Sequence, residues 1–235
     1  MVALVILPGM DGAAAPRADF AAAVGPGIEP HVISYPPDPA LGYPELEAQV
    51  RASLPTDRPY VLLGESFSGP IAISIAASRS PQLIGLVLCV TFARNPLPLL
   101  GSMPWLLPLV PFGLAPIRVI SAVLMGRFAT APLIEALRVT FDEVPTQTFK
   151  ARLAAVARAD MRPALANIRV PVLYLRASED RLVPRRCADA IARVATQTRI
   201  VDIEAPHMLL QVAADEAAAI VGAFVDTLPG AAAPR

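Results

Sequence analysis

Tyr60-Val61-Leu62-Leu63-Gly64-Glu65-Ser66-Phe67-Ser68-Gly69 is the stretch on which the reading of this chain turns. The apolar run Tyr60 to Leu63 predicts a buried strand, and the residues from Gly69 to Ser78 carry a helical pattern. Between them lies G-x-S-x-G, the spacing of a strained strand-to-helix turn that lifts a serine hydroxyl above the edge of a sheet. Small flanking residues are needed there because the backbone passes close to its neighbours. The next backbone N–H, that of Phe67, then faces the place where an oxyanion would form. A glycine-rich turn with an incidental serine is the competing reading, and the strand and helix on either side argue against it.

The same alternation of short β-branched runs and longer segments continues outward in both directions. Strands are expected at Val2 to Leu7, His31 to Tyr35, Tyr60 to Leu63, Gly85 to Val90, Val170 to Leu175 and Arg199 to Ile203. Helices are expected near Ala18 to Ala23, Pro44 to Leu54, Gly69 to Ser78, Cys187 to Val194 and His207 to Leu228. Alternating β and α units imply a mostly parallel sheet of about six strands with helices on both faces. The alternation fails between Val90 and Val170, where a Pro-rich apolar tract precedes helical patterns at Ile117 to Phe128, Pro132 to Val139 and Thr146 to Arg158. This reads as an insertion, over residues 92–150, in a single domain spanning 1–235.

A nucleophilic serine needs a general base, and the chain holds two histidines. His31 opens what reads as an interior strand and suits a packed or hydrogen-bonded role. His207, in Glu204-Ala205-Pro206-His207-Met208, follows the last strand, where a loop presents it at the carboxyl edge of the sheet. The third group is a carboxylate that fixes the imidazole tautomer and stabilises the imidazolium. Asp180, in Ser178-Glu179-Asp180-Arg181-Leu182-Val183-Pro184, stands just beyond the strand ending at Leu175, with Glu179 as its neighbouring competitor. Asp202 alternates within a strand and reads as a local ion-pair or turn partner.

Composition narrows the class of protein. Of the 235 residues 54% are hydrophobic and 17% charged, a balance that supports a globular core and excludes disorder. Twenty basic residues against 20 acidic ones leave no bulk field to draw a polyanion, so nucleic acid is not an expected partner. Cys89 and Cys187 lie far apart without metal-binding spacing, so neither a metal site nor a disulfide framework is expected. The amino terminus lacks a basic leader and a small-residue cleavage site, which points to the cytoplasm. The charge-free stretch from Asn95 to Ile117 carries six prolines and makes a poor membrane-spanning helix, so no transmembrane segment is expected.

Taken together these residues resemble the α/β-hydrolase superfamily of serine hydrolases over nearly the whole chain. The likeness rests on Leu7-Pro8-Gly9-Met10-Asp11-Gly12 after the first strand, the turn at Ser66, and Ile168-x-Val170-Pro171-Val172-Leu173 leading to Asp180 and then His207. The order Ser, acid, His is the one this fold uses. The resemblance implies an α/β-hydrolase fold and a Ser66-His207-Asp180 triad. It also implies an oxyanion hole made by the N–H groups of Phe67 and Met10. Three departures stand out: the chain starts at the family's usual third strand, Pro8-Gly9 replaces the common His-Gly, and Ala177 replaces a turn glycine. The insertion falls where the family places its helical lid, and its apolar content, with Trp105 and Leu106 as the expected substrate-binding residues, points to an acyl or otherwise apolar substrate, packing of the lid onto the core being the competing reading. A cofactor-free serine esterase or thioesterase is the expectation. The likeness is greatest to small lidded carboxylesterases, including those that cleave methyl esters of acyl chains on carrier proteins, which makes an acyl carrier a candidate partner. Carbon–carbon bond hydrolysis and perhydrolase chemistry use the same constellation, and a non-catalytic hydrolase-like binding protein is the alternative from another class.

Overall fold

The computed structural model of the protein describes residues 1–96 and 116–230. Six strands, β1 (Val2–Leu7), β2 (Ile28–Val32), β3 (Tyr60–Glu65), β4 (Leu83–Cys89), β5 (Val172–Ala177) and β6 (Thr198–Ile203), form one sheet in the order β2-β1-β3-β4-β5-β6. Every pairing is parallel. The ten described helices are α1 (Ala18–Ala23), α2 (Tyr43–Ala52), α3 (Gly69–Ala77), α4 (Ile117–Leu124), α5 (Ala131–Glu143), α6 (Thr146–Arg158), α7 (Arg162–Leu165), α8 (Arg186–Val194), α9 (Leu209–Val212) and α10 (Ala214–Asp226).

Strand alternation builds two cores, one on each face of the sheet. Ala3, Val5 and Leu7 of β1, with Leu62, Leu86 and Tyr174, pack toward α3 and α8. Val2, Leu4 and Ile6, with Leu63, Val87 and Leu173, pack toward Phe20 of α1 and Val221 of α10. The strands β1 and β3 are buried along their entire length, which is why they read as continuous apolar runs without an alternating polar face. Helix α3 is buried nearly all round beneath the turn at Ser66, so it too lacks a polar stripe.

Two boundaries differ from expectation for identifiable reasons. The second strand lies at Ile28–Val32, three residues earlier than expected, and it holds the edge of the sheet and not its interior. Gly27 O accepts the Val2 N–H at 3.0 Å, and the Ile33 N–H donates to Ile6 O at 2.9 Å. Odd-numbered residues of β2 therefore face β1, and the missing N–H of Pro30 falls on the open edge, the position where a strand tolerates proline. The single helical pattern from His207 to Leu228 is divided: Ala213 leaves helical geometry at φ −123° and ψ 46°, and α10 packs back against α1.

Between β4 and β5 the β/α alternation gives way, among the described residues, to the helices α4 to α7. Residue 150 falls inside α6, so the helical excursion continues past it to Leu165. Trp105 and Leu106, named as substrate-binding residues, lie outside the described residues. No described helix is long and apolar enough to cross a membrane.

Candidate active site

The parallel sheet determines which loops meet. Adjacent strands β1 and β3 pair Leu7 with Gly64, so the residues that follow, Pro8 to Met10 and Glu65 to Phe67, leave the sheet side by side. Strand β5 runs beside β4 and β6 beside β5, and the loops after them carry Asp180 and His207 toward the same edge.

Ser66 occupies the turn with φ 48°, the left-handed region that a residue bearing a Cβ rarely adopts. Its conformation is held by Thr91, whose hydroxyl donates to the Ser66 carbonyl. Thr91 is in turn fixed by Tyr174: the Thr91 N–H donates to the phenolic oxygen at 3.0 Å, and that hydroxyl donates to the Thr91 carbonyl at 2.5 Å. The glycines on either side are required by space. A Cβ on Gly64 would lie 2.7 Å from Ala72 Cβ, and one on Gly69 would lie 2.6 Å from Thr91 Cγ2.

The Ser66 hydroxyl donates to His207 Nε2 at 2.8 Å, and His207 Nδ1 donates to Asp180 Oδ2 at 2.8 Å. With an acceptor-only carboxylate at Nδ1, the proton resides there and Nε2 is left free to accept. The second oxygen of Asp180 accepts the backbone N–H groups of Leu182 (2.7 Å) and Val183 (2.9 Å), so the loop's own turn aims the carboxylate at the imidazole. Both side chains are largely withdrawn from water, at 10% exposure for His207 and 4% for Asp180. Glu179 instead faces Arg127, whose Nε donates to it at 2.8 Å, and this pairing holds its carboxyl below the usual range. His31 lies at the open edge beside Arg58 and Glu29, at 3.0 Å from each, away from this cluster.

Met10, the second expected oxyanion residue, lies in a turn closed by Gly12 N–H to Gly9 O at 3.1 Å. Ser68 donates to the Pro8 carbonyl and accepts from Tyr35 at 2.7 Å, tying this loop to the turn at Ser66. Phe67 lies sandwiched in aromatic contact, stacked on Tyr43 at 4.7 Å and edge-on to Tyr35 at 6.4 Å; Tyr43 also donates to the Phe67 carbonyl at 3.0 Å.

Several residues of this site escaped the sequence reading. A buried ion cluster lies beneath the loop: Arg17 Nε donates to Glu65 at 2.5 Å, while its two terminal nitrogens donate to Asp11 at 2.5 and 2.8 Å. Those carboxylates raise the Arg17 pKa above its already high ordinary value against the opposing cost of burial. Glu65 also accepts from Gln211 on α9 at 3.2 Å, which links β3 to the helix after His207. Arg152 of α6 is buried against the same loop and donates to the Met10 carbonyl at 2.8 Å. A charged residue ending an otherwise apolar strand was the available signal for Glu65; nothing local marked Arg17 or Arg152. Among the described residues no group of three or more His, Cys, Asp or Glu side chains could hold a metal ion. Cys89 is buried and Cys187 half-buried, both as free thiols.

Comparison with known proteins agrees with this architecture. A family model described as Alpha/beta hydrolase family matches residues 4–221. No curated protein matches by sequence. Among solved structures, an enol-lactonase from Burkholderia xenovorans LB400 superposes with a TM-score of 0.76 at 18% identity, covering 96% of this chain and 91% of the other. An esterase from Exiguobacterium antarcticum gives 0.79 at 12% identity, with 97% and 92% covered. A bromoperoxidase from Bacillus anthracis gives 0.80 at 12% identity, with 96% and 92% covered. Identities this low establish a shared fold, and the names on these neighbours span more than one reaction.

Proposed function

The chain belongs to the alpha/beta hydrolase family, and from that premise we propose that it cleaves a carboxylic ester or thioester of an apolar acyl substrate through an acyl-enzyme. The observation that carries the reading is the hydrogen-bonded line Ser66 Oγ, His207 Nε2, His207 Nδ1, Asp180 Oδ2, with 2.8 Å at each of the two hydrogen bonds between side chains. In the first half-reaction Ser66 Oγ attacks the acyl carbonyl carbon while its proton passes to His207 Nε2. Asp180, held by two backbone N–H groups, stabilises the imidazolium without itself taking the proton. The N–H groups of Phe67 and Met10 hold the oxyanion, the term that ordinarily contributes most to such a barrier. Collapse of the tetrahedral species breaks the bond to the alcohol or thiol, which leaves with the proton from His207. Water then repeats the sequence on the acyl-enzyme and releases the acid.

The helices inserted after β4 are proposed as a lid that selects the acyl chain. Supporting this, the described part of the insertion touches both loops that carry the base and the acid. Met208 N–H donates to Leu124 O at 3.3 Å, Arg181 donates to Ala122 O at 2.8 Å, and Arg127 pairs with both Glu179 and Glu204. A series of 4-nitrophenyl esters of graded chain length, run with fluorophosphonate labelling and mass spectrometry, tests the reading. One adduct on Ser66 and turnover of the esters are expected. An adduct on Ser68 alone, or ester turnover that survives without any adduct, would overturn it. Cleavage only of a carbon–carbon bond in a wider panel would retain the three side chains and replace the reaction.

A further inference from the structure

Arg152 brings a full positive charge to a place that is 1% exposed, yet its hydrogen bonds run to two backbone carbonyls and not to a carboxylate: Nη1 donates to Met10 O at 2.8 Å and Nη2 to Pro36 O at 2.9 Å. Its guanidinium carbon lies 5.9 Å from the Tyr35 ring centroid and 6.0 Å from that of Phe67. Gly12, at φ +74°, leaves the room this takes, since a Cβ there would lie 2.7 Å from Arg152 Nη1. Asp11 attracts it through space without a hydrogen bond between them, and a buried cation held only by neutral carbonyls is costly and ordinarily persists where it does something that packing alone cannot.

We propose that Arg152 is a positioning residue for the oxyanion hole, which makes that hole complete only while α6 of the inserted helices is docked on the loop after β1. The inference rests on the reading of Ser66, Phe67 and Met10 given above. One guanidinium serves both halves of the hole: it donates to the Met10 carbonyl at 2.8 Å and stands over the Phe67 ring, 6.0 Å from its centroid. Holding the Met10 carbonyl restricts rotation about that residue and so fixes the direction of the N–H that precedes it. The planar fork is needed because it bridges two carbonyls at once, which a single ammonium point does poorly. On the opposite side of the same loop Arg17 binds Asp11 and the Ala13 carbonyl, so the turn is gripped from both flanks.

The test compares wild type, Arg152→Met and Arg152→Lys in kcat, KM, the inhibition constant of an alkylboronic acid matched to the acyl chain, and fluorophosphonate labelling of Ser66. The boronate forms a tetrahedral adduct on the serine and so reports the hole and not ground-state binding. Arg152→Met is expected to lower kcat about 10²-fold, near the effect of losing one oxyanion donor. KM should stay within about threefold, and the boronate constant should rise in proportion to the loss in kcat/KM. Arg152→Lys should recover part of both and keeps the test decisive where Arg152→Met does not fold. A folded variant with unchanged kcat and boronate affinity, or a loss confined to KM, overturns the inference while Ser66 labelling leaves the reading beneath it intact. Absence of labelling in the wild type overturns both.

Discussion

At the scale of single residues the site divides into the hydrogen-bonded line of Ser66, His207 and Asp180 and the groups that hold that line still. Ser66→Ala and His207→Ala are each expected to lower turnover by on the order of 10⁴-fold or more, with losses in the double variant far from additive because the residues act as a unit. Asp180→Asn should keep the fold and cost about 10⁴-fold through the wrong histidine tautomer, whereas Glu179→Gln, which removes one of the two carboxylates on Arg127 and leaves Glu204, should be mild. Steady-state kinetics on the same ester decide between the two carboxylates, and a crippling Glu179→Gln beside a mild Asp180→Asn reverses their roles. Glu65 belongs to the second group. Glu65→Ala leaves Arg17 buried with Asp11 as its remaining carboxylate, and should cost about 3 kcal/mol in urea unfolding. The double variant Arg17→Met with Glu65→Leu should cost less than the sum of its parts, because an apolar pair replaces a buried charge that would otherwise stand alone.

At the scale of elements, pairing at the sheet's β6 edge is reinforced by charge. Arg176 of β5 donates to both oxygens of Asp202 on β6 at 2.7 and 2.8 Å, and Arg185 adds a third contact at 3.0 Å. Those hydrogen bonds and charges hold the Asp202 carboxyl below its ordinary range. A carboxylate depressed in the folded state stabilises fully above its unfolded pKa and loses that contribution as pH falls through the folded value. Asp202→Asn should therefore destabilise the protein at pH 7 by no more than about 1 kcal/mol, since the pair is solvent-screened. The gap from wild type should close below about pH 4, which urea unfolding at the two pH values measures; a gap that widens in acid contradicts the assignment. At the turn bearing Ser66 the constraint is steric, and Gly69→Ala should displace Thr91 and with it the Ser66 carbonyl. Its expected signature is a kcat loss larger than the drop in thermal midpoint would explain.

For the whole molecule, acyl specificity is expected to arise where the inserted helices meet the sheet's carboxyl edge. Each methylene accepted by an apolar pocket is worth about 0.8 kcal/mol, roughly fourfold in kcat/KM, so activity should climb over short to medium chains and then flatten. Trp105→Ala with Leu106→Ala should lower kcat/KM for the preferred chain and spare acetyl esters; equal loss on acetyl and octanoyl esters assigns those residues a structural role only. Much of this molecule was legible in the chain itself. Apolar runs such as Val2 to Leu7 and Tyr60 to Leu63 became buried strands because a parallel sheet covered on both faces leaves no polar side to encode. The helix limits at Ala18 to Ala23 and Thr146 to Arg158 followed from periodicity. The nearness of Ser66, Asp180 and His207 was readable because every strand of a parallel sheet ends at the same edge, so residues just past β3, β5 and β6 converge whatever their separation in sequence. The edge position of β2 was not readable, since strand order depends on which loops cross over and not on any one strand's composition. Nor were the distant partners of Arg17 and Arg152: Glu65 and Met10 lie 48 and 142 residues away, and only strand register and the docking of α6 choose among the carboxylates and carbonyls that a buried guanidinium could otherwise find.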